Sequence, residues 1–137
     1  MKKLLLAIAV LFGLQTLAVA DPLPGPSLWR NQRGSTLEVQ WILPPVPLNN
    51  VPTSGFGGIF INEAKGFSCK GTPYGALGST TPGSTSFEVE FLLCTTHTTW
   101  TGEVHGKKLY THWTLVYTPL GGPPQTLKGD DVFTRVR

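Results

Sequence analysis

Most of the chemistry open to this 137-residue chain lies in a few side chains: Trp100 and Trp113, three histidines, two cysteines and the late aspartate Asp131. Nucleophilic catalysis needs a serine or cysteine beside a histidine that a third group orients. His97, His105 and His112 fall on loops, on turn edges or on the face opposite Trp113, and none is paired with such a nucleophile, so an enzyme is not expected. Cys69 and Cys94 cannot hold zinc between them, because a structural site takes four ligands and no histidine lies at ligand spacing from either. No metal is expected. The tryptophans are more informative. Gly106-Lys107 suits a two-residue hairpin turn, since glycine supplies the positive φ that a type II′ turn demands. In that register His105 faces Lys108, and Trp100 lies opposite Trp113 on one face of the sheet. Two indoles placed there are either the heart of a core or the walls of a pocket.

The elements that position them begin after a leader. Residues 1–20 read as a signal peptide: Lys2 and Lys3 form a positive start, Leu4 to Leu17 an apolar core, and Ala18-Val19-Ala20 a small-residue cleavage site before Asp21. The apolar run is short for a bilayer span, so no membrane anchor is expected, and the destination is secreted or periplasmic. Residues 21–137 then form one domain. The net charge of +3 falls to +1 once Lys2 and Lys3 leave, and no basic stripe with interleaved aromatics remains to bind nucleic acid. In an exported chain of this size, two cysteines read as a disulfide. Closing that loop stabilises the fold by roughly 3 kcal/mol in the chain-entropy model.

Asp21 to Pro26 carries three prolines and a glycine and reads as a flexible lead-in. No helix is expected beyond it; apolar residues alternate with period two across many short segments. Strands are expected over Ser27 to Asn31, Ser35 to Trp41, Gly55 to Asn62, Pro73 to Thr80 and Ser86 to Leu93, then in the Trp100/Trp113 hairpin, and last over Thr126 to Arg137. In the second, Ser35, Leu37, Val39 and Trp41 share the buried face; in the fifth, Phe87, Val89, Phe91 and Leu93 do. Ile42 to Ser54 holds four prolines, which bar a central strand, and reads as a long, stiff hairpin connection at the barrel rim or surface. Eight antiparallel strands joined by short connections close naturally into an all-β up-and-down barrel, wide enough for one small ligand. A two-sheet sandwich is the runner-up.

Four segments resemble motifs of the avidins and streptavidin. Trp29-Arg30-Asn31-Gln32-Arg33-Gly34-Ser35 is similar to their W-x-N-x-x-G-S opening, and Thr98-Thr99-Trp100-Thr101-Gly102 to their T-T-W-[TS]-G strand. Thr111-His112-Trp113-Thr114-Leu115 resembles T-x-W-x-L, and Gly129 to Arg137 resembles the closing G-x-D-x-F-T-[RK]-[VL]-[RK]. The resemblance implies an avidin-like barrel, without cofactor or catalysis, that binds biotin in a pocket at one barrel end. It implies that Asn31 and Ser35 donate to the ureido oxygen, that Asp131 and Asn62 serve the two ureido N–H groups, and that Thr98 faces the ring sulfur. Thr96 would lie near the valerate carboxylate, with Phe91, Trp100 and Trp113 as the aromatic cage and Leu115 beside them. The residue chemistry agrees, because a planar acceptor flanked by two donors needs convergent polar groups at one end and rings elsewhere.

Departures from the family pattern are expected to matter. Phe60 stands where the family has a tyrosine, which removes one donor to the ureido oxygen at a cost of about 1–3 kcal/mol. Arg33 replaces a small or apolar residue near the ligand, Asn62 a serine or threonine, and Phe87 and Phe91 tryptophans. Gly121 to Thr126 lacks the tryptophan that tetrameric members reach into a neighbour's site. Cys69 and Cys94 fall in the two loops that a disulfide joins in the short dimeric avidins, so a homodimer is expected. The competing readings are a secreted β-barrel protease inhibitor working through Ile42 to Ser54 and a lipocalin-like carrier of a small hydrophobe. Neither calls for Asp131 beside an apolar cage.

Overall fold

The computed structural model describes residues 19–137; the leader assigned to residues 1–20 lies outside them apart from its last two positions. Nine strands follow one another: β1 (Ser27–Asn31), β2 (Thr36–Ile42), β3 (Val46–Leu48), β4 (Val51–Ile61), β5 (Pro73–Thr81), β6 (Ser84–Phe91), β7 (Thr96–His105), β8 (Lys108–Tyr117) and β9 (Gln125–Arg135). All pair antiparallel. Eight of them, in the order β2-β1-β9-β8-β7-β6-β5-β4, close into a barrel because β2 also pairs with β4. Closure leaves these strands no free edge. The β7–β8 register pairs His105 with Lys108 and Trp100 with Trp113, and Gly106 turns the corner at φ +60.

Inward positions fill the barrel. Thr85, Phe87, Val89 and Phe91 of β6 alternate into it, with Trp29, Leu37, Val39, Phe56, Phe60, Leu109 and Phe133 from the other walls, all buried. The rings of Phe87 and Trp100 stack at 4.8 Å and 8° between planes, and Phe60 lies 4.7 Å from Trp100. Each such pair contributes about 0.5–1.5 kcal/mol beyond area burial. This aromatic block forms the floor under the site.

Four expectations need correction. Asp21 to Pro26 is no loose lead-in: the Asp21 amide donates to the Val104 carbonyl at 2.8 Å, the Leu23 amide donates to Thr80 Oγ1 at 2.7 Å, and Leu23 is 2% exposed. One apolar side chain at the open barrel end outweighs the turn-like composition around it. The strand expected from Gly55 begins already at Val51, where the hairpin expected over Ile42 to Ser54 stands beyond the barrel as β3 paired with the start of β4, Pro47 opposite Pro52 on an edge where missing N–H groups cost little. Asn49 and Asn50, at φ 49 and 64, make the tight turn between them. The third concerns Trp41, which a shift of register between Val39 and Trp41 turns outward over Gly57. Last, β6 ends at Phe91, and Leu92–Cys94 forms a 3-10 turn that leaves Leu93 exposed as the chain bends toward the disulfide.

Leu23 is the plug of the barrel end away from the site. Leu23→Ala is expected to cost roughly 2–5 kcal/mol, read as a lower guanidinium midpoint; a change below about 0.5 kcal/mol, the range of ordinary surface substitutions, would show that the segment is not anchored.

Candidate ligand-binding site

The turn from β1 to β2 builds the first side of the site. Asn31 Oδ1 accepts from the amides of Arg33 at 3.0 Å and Ser35 at 2.9 Å, and the Gly34 amide donates to the Asn31 carbonyl at 3.0 Å. The carbonyl of the Asn31 side chain is thereby used, and its NH2 is left to donate. Ser35 Oγ accepts from the Glu63 amide at 2.8 Å, so its hydroxyl hydrogen is free to point elsewhere. Asn62 Oδ1 accepts from the Ala64 amide at 2.8 Å, which fixes the side chain and leaves one lone pair of that oxygen free. Local backbone bonds therefore orient three side chains before any ligand arrives.

Asp131 is the charged centre. It is 3% exposed, a placement that is costly for a carboxylate unless its oxygens are satisfied. Trp100 Nε1 donates to Oδ2 at 2.9 Å, while Gln32 Nε2 at 2.9 Å and Arg33 Nε at 3.0 Å donate to Oδ1. Gln32 is itself fixed, because its Oε1 accepts from the Val132 amide at 3.0 Å. The Arg33 guanidinium also stands 5.8 Å from the centre of the Trp113 ring.

A cavity of about 280 Å³ opens beside these groups. Its lining includes nine of the eleven residues expected from the sequence: Asn31, Ser35, Phe60, Asn62, Thr98, Trp100, Trp113, Leu115 and Asp131. Thr98 Oγ1 is buried in this wall without a hydrogen-bond partner, as is Trp113 Nε1. Phe91 and Thr96 do not reach the cavity. Phe91 is fully buried behind Phe67, whose ring meets it edge-on at 5.0 Å and itself lines the cavity. Thr96 Oγ1 donates back to the Cys94 carbonyl at 2.8 Å. The loop carrying Ala64 to Phe67 forms one rim, tethered by the Cys69–Cys94 disulfide to the turn after β6.

Residues 23–136 match the model of the avidin family. The chain belongs to the avidin family. It is similar to hoefavidin of Hoeflea phototrophica, 36% identical over 121 residues that cover 81% of this chain and 71% of that one. Afifavidin of Afifella pfennigii is 31% identical over 118 residues, covering 80% and 68%. Among solved structures, a bradavidin2–biotin complex superposes with a TM-score of 0.72 at 42% identity, covering 84% of this chain and 100% of that one. Avidins bind biotin as a ligand, without a cofactor and without catalysis, and this avidin is not an enzyme.

Several residues of this avidin's cavity carry no sequence signal of their own. Phe67, Lys65 and Leu127 line it from a loop and a strand end where no periodicity marks them. Gly129 matters through what it lacks: a Cβ there would sit 2.4 and 2.6 Å from ring atoms of Trp113, its partner across β8 and β9. The indole lies flat over that glycine, and this sets the cavity wall. Gly129→Ala is expected to displace the Trp113 ring, costing about 1–3 kcal/mol by overpacking and shifting tryptophan emission. Gly75→Ala, where a Cβ meets nothing within 4 Å, is the matched control. Equal spectra and stability in the two variants would refute the role of Gly129.

Proposed function

We propose that this avidin binds biotin tightly at the barrel end, outside the cytoplasm in a secreted or periplasmic setting, and works as a homodimer. The observation that carries the reading is the buried Asp131 acceptor, flanked by the donors of Asn31 and Ser35 inside an aromatic wall. The ureido oxygen takes the Asn31 NH2 and the Ser35 hydroxyl, and a ureido N–H donates to Asp131. The orphan Thr98 hydroxyl meets the ring sulfur, and Trp100 and Trp113 cover the bicyclic rings. The second ureido N–H meets the lone pair left on Asn62 Oδ1. The valerate tail runs past Leu115 and Leu127 toward Lys65, whose cation suits a carboxylate. A carrier of plain hydrophobes has no use for this polar end, since unpaired groups would be left buried.

Phe60 offers no hydroxyl to the ureido oxygen. Calorimetry on the oxidised protein is expected to give saturable one-to-one heat with biotin, and Phe60→Tyr is expected to bind more tightly by about 1–3 kcal/mol. No heat at micromolar protein would sink the biotin reading, whereas unchanged affinity in Phe60→Tyr would mean that the oxygen is already satisfied.

Two features support the dimer. The segment before β9 carries no aromatic to complete a neighbour's site, and the outer face of the barrel exposes Leu77 on β5 and Val116 on β8. The disulfide preorganises the rim that a neighbour's tryptophan would otherwise close, which lowers the ordering cost of binding. Light scattering is expected to give twice the protomer mass; a concentration-independent tetramer would overturn the assembly.

A further inference from the structure

Arg33 makes two contacts at the site, one with the carboxylate and one with the ring that the proposed ligand uses. Its Nε donates to Asp131 Oδ1 at 3.0 Å, and its guanidinium lies over the Trp113 ring at 5.8 Å. A carboxylate has about four acceptor positions. Three of those on Asp131 are filled by the protein's own donors, Trp100, Gln32 and Arg33. Trp100 is 3% exposed, and the Gln32 amide is held at both ends. Gln32 and Arg33 are both exposed on the β1–β2 turn, but Arg33, with its side chain 42% exposed, is held by a single hydrogen bond and can swing away. Its cation also offsets the charge of Asp131, which favours the pair.

We infer that Arg33 is an intrachain competitor for the site: its side chain holds one acceptor position of Asp131 and covers Trp113, and must swing into water before a ligand can take that position and the ring face. The inference rests on the biotin reading for the ligand it names. The competition is a population effect. Only the fraction of molecules with Arg33 swung out binds, so the apparent dissociation constant is the intrinsic one divided by that fraction. Rotation of a half-exposed side chain is fast compared with ligand encounter. The open fraction therefore lowers the association rate and leaves dissociation from the filled site nearly unchanged.

The test compares the wild type with Arg33→Ala, which removes both contacts and adds none. Arg33→Ala is expected to bind biotin about tenfold more tightly, as from an open fraction of about a tenth, with the gain in the association rate and the dissociation rate unchanged. Equal or weaker binding in Arg33→Ala, or a gain confined to dissociation, would overturn the inference. Arg33→Gln keeps a neutral N–H for Asp131 and is expected to fall between the two; it replaces the alanine variant if that one fails to fold.

A second readout uses no biotin. In a Trp41→Phe background, which removes the tryptophan on the outer face, acrylamide quenching of the ligand-free protein is expected to rise on Arg33→Ala as Trp113 is uncovered. If neither protein gives heat with biotin, the ligand reading fails and quenching alone decides: a rise supports the shielding role of Arg33, and equal quenching overturns it.

Discussion

A carboxylate taken out of water at the mouth of an apolar barrel is the constraint to which the rest of the site answers. Asp131 sits on β9 two residues from fully buried Phe133, among rings that cannot solvate it. Left unpaired, such a group is costly enough to reorganise its surroundings. The chain meets that cost with three donors from two places: an indole on β7 and two side chains on the β1–β2 turn. Those bonds tie β9 to the turn and to the aromatic floor, so the polar end and the apolar wall hold one another in place. Trp100 takes part in both, since it stacks on Phe87 and donates to Asp131.

The same economy of placement governs the walls. Trp113 can lie flat only because its cross-strand partner is glycine, and outside the barrel Trp41 lies over Gly57 in the same manner. Large rings are paired with absent side chains. The rim is built differently, from a loop whose backbone bonds are local turns, such as those from Phe67 to Ala64 and from Lys70 to Phe67. It is held by the Ser35 hydroxyl at Glu63, by the disulfide, and by Phe67 packed on Phe91. A rigid pocket thus has a rim anchored at a few points.

Much of this architecture is legible in the residues. Gly106-Lys107 dictates the hairpin turn, and with it the meeting of Trp100 and Trp113; strict alternation in β6 gives its buried face. Signals of that kind are local and periodic. What escapes them depends on single side chains meeting distant partners. Leu23 stands among prolines, and only the open barrel end makes it core. The extra residue at Gln40 reverses the face of Trp41, which no pattern in β2 announces. Phe67 displaces Phe91 from the cavity because a loop without periodicity folds inward. The direction of Arg33 is set by Asp131, 98 residues away.

The barrel is sealed by its first and last strands. β1 hydrogen-bonds with β9, Trp29 opposite Arg135, so the sheet has no closed form until β9 has been synthesised. A nascent chain holding β1 to β8 carries two unpaired edges and an open aromatic interior. Contacts of such long sequence separation make folding slow, on the scale of milliseconds to seconds. Until β9 emerges the polypeptide cannot finish folding, and it stays threadable as an extended strand up to that point.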